Sequence, residues 1–193
     1  MRHFSITRLL KSKRGLETPV ANLIIVVATV LLATVVVLFA VNVMAGQFQK
    51  EKVYVATSHI WYVDNTQSIA ALGITNTGAT DVVLTKITVN GLQCEWNGAT
   101  NYIAYCKFNG SLPGDLPFVG QINSNTNTTI NVAGQPYDFA PADEGLTIKS
   151  GGSIAFYIVL PNCISVNNLS QPVDTIITTT QAVYCTETLV QAE

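Results

Sequence analysis

Val20 to Met44 reads VANLIIVVATVLLATVVVLFAVNVM, and no charged residue stands between Thr18 and Gln49. Wound as an α-helix at about 1.5 Å per residue, the run is about 38 Å long, more than the roughly 30 Å hydrocarbon core of a bilayer. Burying each of its seventeen large side chains (Val, Leu, Ile, Phe, Met) is worth about 1.5–3 kcal/mol before entropy is subtracted. A helix that is apolar all round is covered all round, by lipid or by other helices. The run is therefore read as a membrane span or as the core of an assembly.

Charge is distributed unevenly about this run. Of the ten Lys and Arg, five (Arg2, Arg8, Lys11, Lys13 and Arg14) precede it, while all twelve acids follow Arg14. The positive-inside rule places the short amino end in the cytoplasm and about 140 residues outside. With 193 residues the chain has room for one domain and an appendage. Its 48% hydrophobic and 11% charged residues, against about 25% charged in ordinary proteins, exclude a disordered chain and argue against a typical cytosolic enzyme. Five basic residues against twelve acids beyond the leader leave no basis for a nucleic-acid-binding surface.

Three readings of the apolar run compete. One is a single-span anchor. Another is a secretory signal peptide with Val43-Met44-Ala45 before Gly46 as its cleavage site, although a signal core is about 7–15 residues and this run is longer. The third rests on the junction Lys11-Ser12-Lys13-Arg14-Gly15-Leu16-Glu17-Thr18-Pro19. Lys13-Arg14-Gly15, followed by Leu16-Glu17-Thr18-Pro19-Val20-Ala21 and a Val/Leu/Ile/Ala/Thr run, resembles the archaeal type IV pilin family. Precursors of that family carry a short basic leader cut on the cytoplasmic side before the hydrophobic helix. The resemblance covers roughly residues 11 to 50 closely and the rest only in style.

It implies a cleavable leader over 1–15, a helix over 16–50 that spans the membrane before assembly and forms the filament core afterwards, and an extracellular domain over 51–193. The processing site is then Arg14, Gly15 and Leu16. The implied partners are further copies of the chain, a prepilin peptidase, an assembly ATPase and a membrane platform protein. Bacterial type IV pilins place a glutamate five residues into the mature chain, whereas the acid here is Glu17, second after the cut. The Gly-Ile-Glu-Ala-Ala-like start typical of archaellins is also absent, which favours a pilus over a swimming filament. The rival reading is an anchored or secreted immunoglobulin-like binding module that does not polymerise.

At 100° per residue, Thr18, Asn22, Thr29, Ala33 and Ala40 fall on one face of the helix. Such small or weakly polar stripes let helix backbones approach closely, in a membrane dimer or in a filament.

Beyond Lys52 the texture becomes that of strands. Val53–Val63 and Ser68–Thr75 are rich in β-branched and aromatic residues, Val82–Val89 alternates, and Asn90-Gly91 is a hairpin signal. Further strands are expected at Ser153–Leu160, closed by Pro161, and from about Thr175 to Val190. The fold class predicted is α+β: a long amino-terminal helix followed by an antiparallel immunoglobulin-like β-sandwich. Residues 108 to 152 are dense in Gly, Pro, Asn, Asp and Ser, and read as a long loop region or small hairpins forming a candidate outward face.

Cys94, Cys106, Cys163 and Cys185 all lie in the external part, so disulfides are expected, with three pairings possible. Cys94–Cys106 and Cys163–Cys185 are favoured because each closes a local loop. Asn109, Asn127 and Asn168 begin Asn-x-Ser/Thr tripeptides and are candidate glycan acceptors. His59 stands in a strand beside Trp61 and Tyr62, Asp143-Glu144 is read as a solvated turn, and no G-x-S-x-G, P-loop, dinucleotide fingerprint or EF-hand occurs. No enzymatic activity, cofactor or metal is expected.

Overall fold

The chain divides into Met1–Phe48 and Gln49–Glu193, each with its own internal contacts. The computed structural model describes residues 7–48, 51–64, 67–159, 161 and 164–193. In the first unit, α1 runs without interruption from Thr7 to Phe48. It therefore begins well before the start at residue 16 that the sequence suggests, because Arg8 to Arg14, Ser12 apart, are good helix formers and include no Gly or Pro.

The second unit is built from eleven strands: β1 (Val53–Asp64), β2 (Gln67–Asn76), β3 (Val82–Val89), β4 (Leu92–Gln93), β5 (Tyr102–Phe108), β6 (Thr128–Val132), β7 (Gln135–Pro141), β8 (Thr147–Ile148), β9 (Ser153–Val159), β10 (Pro172–Thr179) and β11 (Val183–Ala192). They form one sheet in the order β4-β3-β10-β11-β1-β2-β9-β5-β7-β6, with β8 paired to β3. One long helix followed by a large sheet makes the chain α+β.

Side-chain alternation along the central strands creates two cores. Ala70, Leu72 and Ile74 of β2, Ile103 of β5, and Ile154, Phe156 and Ile158 of β9 face an inner core, shared with Leu84 and Ile87 of β3 and Ile177 of β10. Strands so far apart in the sheet share one core only because the sheet folds over on itself. The opposite faces, carrying Ala71, Ala104, Ala155 and Tyr157, meet an outer core completed by Leu116, Ile122, Ile130, Val132 and Phe139. Burial on both faces explains why β2 and β9 are almost wholly buried and lack a polar-out pattern.

Turn chemistry sets the registers. Asn90 (φ 48°) and Gly91 (φ 77°) join β3 to β4 across the Val89–Leu92 pair, as a two-residue loop with two positive φ values requires. Ala133 (φ 52°) and Gly134 (φ 79°) do the same between β6 and β7, closing on Val132–Gln135.

Three expectations need correction. The single strand from 175 to 190 is a hairpin, β10–β11. Its turn has no Gly or Pro: the Thr179 hydroxyl instead accepts the N–H of Ala182 at 2.9 Å, a side-chain substitute for turn residues. The sheet is not purely antiparallel, since β1 and β11 pair in parallel through Ile60–Val190, Trp61–Gln191 and Tyr62–Ala192. The segment from 109 to 127 has no strand, yet it is not a free loop. Tyr157 donates its hydroxyl to Pro117 O at 2.8 Å, Tyr102 bonds Ile122 O, Gln67 bonds Gly120 O, and Leu116 and Ile122 are buried beneath it.

Phe139 is fully buried and meets Tyr157 edge-on at 5.1 Å. Phe139→Ala is expected to destabilise the strand domain by about 3–5 kcal/mol, read from urea unfolding followed by tryptophan fluorescence. A loss under about 1 kcal/mol would mean that the outer core contributes little.

Candidate functional site

Two parts of the molecule carry candidate sites, and each stands in its own unit. In α1, Thr18–Met44 is long and apolar enough to cross a membrane, and none of its most apolar window is buried. Leu23, Leu32 and Phe39 are 64, 66 and 70% exposed, part of a contiguous apolar surface of the kind that marks a membrane or protein interaction site. Thr18, Asn22, Thr29, Ala33 and Ala40 follow one face, all exposed except the half-buried Ala40. The Thr29 hydroxyl donates to Val26 O at 2.8 Å and the Thr34 hydroxyl to Val30 O at 2.8 Å. Both polar groups are thus satisfied within the helix, and an apolar neighbour can cover them without stranding a donor.

Arg14, Gly15 and Leu16 lie within the continuous helix rather than at its start. The expected leader, 1–15, is therefore helical from Thr7 onward. Pro19 is the proline inside α1, four residues beyond Gly15.

In the strand domain the favoured Cys94–Cys106 pair does not form. Cys106 and Cys185 carry free thiols. Cys94 is buried in the inner core, whereas Cys106 on β5 packs against the outer one. The sheet stands between them, and a disulfide needs Cβ atoms about 3.5–4.5 Å apart. Cys185 is exposed on β11, and Cys163, its expected partner, lies outside the described residues. Burial, followed by the nearby Asp138 carboxylate, pushes the Cys106 thiol above its ordinary range.

Of the glycan candidates, Asn109 and Asn127 are exposed. Asn109 also stands on the wall of an open groove of about 460 Å³, together with Lys107, Lys149 and Asp81. Asn168 is half-buried, and its Oδ1 accepts the N–H of Ser165 at 2.9 Å and the Ser165 hydroxyl at 3.0 Å. It holds a short 3-10 turn.

His59 has a partner that the sequence reading missed. Its Nε2 lies 2.7 Å from Asp115 Oδ1, and its ring stacks on Trp61 with centroids 5.2 Å apart. Asp115 Oδ1 also accepts the N–H of Leu116 at 3.0 Å, so the pair ties the 109–127 segment to β1. Sequence separation hid it, since 56 residues divide the two. Asp143 and Glu144 are exposed in a turn ending at Gly145 (φ 78°). Among the described residues, no three His, Cys, Asp or Glu side chains converge to hold a metal ion.

No family model matches the chain, and no curated protein does. Among solved structures, a family 123 glycoside hydrolase from Clostridium perfringens aligns at 11% identity and a TM-score of 0.31, over 69% of this chain and 22% of that one. A likeness of that degree carries no argument about fold or activity.

The two free thiols should differ in reactivity. With iodoacetamide at pH 7.5, Cys185 is expected to be modified at least tenfold faster than Cys106, because the thiolate is the nucleophile and Cys106 is held as a thiol. Since the Cys106 pKa is raised, its rate should keep climbing as pH rises beyond the ordinary thiol range. Mass mapping of the alkylated peptides checks both statements, and equal rates at pH 7.5 would contradict them.

Proposed function

We propose that this chain is the structural subunit of a cell-surface type IV pilus of the archaeal kind, an adhesion filament held together by α1. The observation that carries this reading is the apolar segment Thr18–Met44, unburied in the single chain, beside a strand domain that closes its own cores without it. The domain asks nothing of the helix, so the helix is free to be buried elsewhere. Lys13-Arg14-Gly15 at its cytoplasmic end supplies the reason for the move from lipid to filament.

In this reading the precursor waits in the membrane with Arg14 inside, and a prepilin peptidase cuts between Gly15 and Leu16. An assembly ATPase and a membrane platform protein then lift the helix from lipid into a bundle of its own copies. The stripe of Thr18, Asn22, Thr29, Ala33 and Ala40 gives neighbouring helices a line of close approach. The strand domain, read as an immunoglobulin-like sandwich, faces outward and meets surfaces or other cells. The work is mechanical and requires no catalytic group.

Material sheared from native cells is expected to be fibrous in negative stain and to begin at Leu16 on amino-terminal analysis. Arg14→Ala with Gly15→Val should leave an uncut precursor in the membrane and no fibres. An intact amino end with undiminished surface display would instead establish an anchored module, and soluble material beginning at Gly46 a secreted one. Either result overturns the filament reading.

A further inference from the structure

Pro19 lies inside α1, and the residue four positions before it is Gly15. In an α-helix the N–H of each residue bonds the carbonyl four residues back. Proline has no N–H, and its ring presses on that same carbonyl. The carbonyl denied its partner is thus that of Gly15, the acyl half of the Gly15–Leu16 bond. Resting on the reading of that bond as the processing site, we propose that Pro19 is a positioning residue for the cut: it opens the helix at the scissile carbonyl in the precursor and costs nothing once the leader is gone.

Hydrolysis adds water across the Gly15–Leu16 peptide, its oxygen going to the new Gly15 carboxylate and a proton to the new Leu16 amine. A peptidase must reach the carbonyl carbon to do this, and an intact helix occupies and shields it, so cleavage follows the open population. Relative to alanine, a proline in a helix interior shifts that population by roughly a hundredfold, and Gly15 weakens the same turn further. The position is suited to it. Gly15 precedes the apolar span that starts at Thr18, so its carbonyl lies where water can bond it rather than in hydrocarbon, where an unpaired group is expensive.

After the cut the situation reverses. Leu16, Glu17, Thr18 and Pro19 become the first four residues of the helix, and the first four N–H groups of any helix have no partner within it. The N–H that proline lacks is then one the helix does not use, and proline is well tolerated in a first turn. The same residue is an interior breaker in the precursor and an ordinary first-turn residue in the mature chain.

The test uses the full-length precursor in membranes with the prepilin peptidase, following release of the leader by mass spectrometry, and amide exchange of residues 16–20 without peptidase. Pro19→Ala is expected to slow cleavage at least about tenfold and to slow exchange at those amides. Pro19→Gly, which restores the N–H but keeps the turn weak, should be cut about fivefold faster than Pro19→Ala and still more slowly than the unaltered chain. Pro19→Ala cut at the unaltered rate would overturn the proposal. So would equal slowing in both variants, since the peptidase would then be reading the ring itself. If the unaltered precursor is never cut at Gly15–Leu16, the processing role falls with the filament reading. Fast exchange at residues 16–20 would then still separate an open turn without a peptidase from a turn that was never open.

Discussion

Burial of β2, β5 and β9 on both faces is the constraint around which the strand domain is organised. Each of these strands sends alternate side chains into different cores, so both faces must be covered. The inner cover is the sheet's own far half, with β3 and β10 folded back over β9. The outer cover is the β6–β7 hairpin and the 109–127 segment. Gly73 marks how closely the outer layer is applied: a Cβ there would stand 2.5 Å from Leu112 Cδ1 and 2.7 Å from Thr57 Oγ1. The backbone of β2 is bare at that point so that a leucine from the covering segment can settle against it.

Much of this was legible from the residues alone. The apolar run, the alternation of Val82–Val89 and the Asn90-Gly91 turn each have a local cause, and local causes are what a sequence displays. The failures share the opposite property. β5 (Tyr102–Phe108) is not among the strands expected from the sequence, and Ala133-Gly134 gives no hairpin signal because alanine rarely takes a positive φ. The break between β10 and β11 depends on one threonine hydroxyl rather than on a glycine. Loop length, the only local guide to cysteine pairing, does not say which face of a sheet a side chain leaves from. His59 and Asp115 meet only after the sheet has formed. Long-range pairing decides all of these, and no spacing rule reports it.

The candidate site divides in the same way. The spacing of Thr18, Asn22, Thr29, Ala33 and Ala40 follows directly from helical periodicity, and so does the place of Pro19 four residues beyond a carbonyl, that of Gly15, which it cannot bond. What the residues did not disclose is that the helix begins at Thr7, which places Arg14, Gly15 and Leu16 in its interior rather than at its end. A proline in the first turn of a helix is well tolerated; well inside one, as Pro19 is here, it removes a hydrogen bond. The two units thus answer to different solvents. The strand domain closes its own cores, whereas the apolar surface of the helix is left unburied.

The parallel pairing of β1 with β11 bears on how the domain is made. Ser58 and Thr188 share a hydrogen bond although 130 residues separate them, and β1, the first strand of the domain, finds this neighbour only when β11 has been made. Until then one edge of β1 is open, with its backbone groups unpaired, and is a template for any other strand it meets. Contacts of such long range also form slowly. The domain therefore stays an incomplete sheet until its last strand arrives, so its most exposed interval lies between the making of β1 and the docking of β11 rather than in the finished molecule.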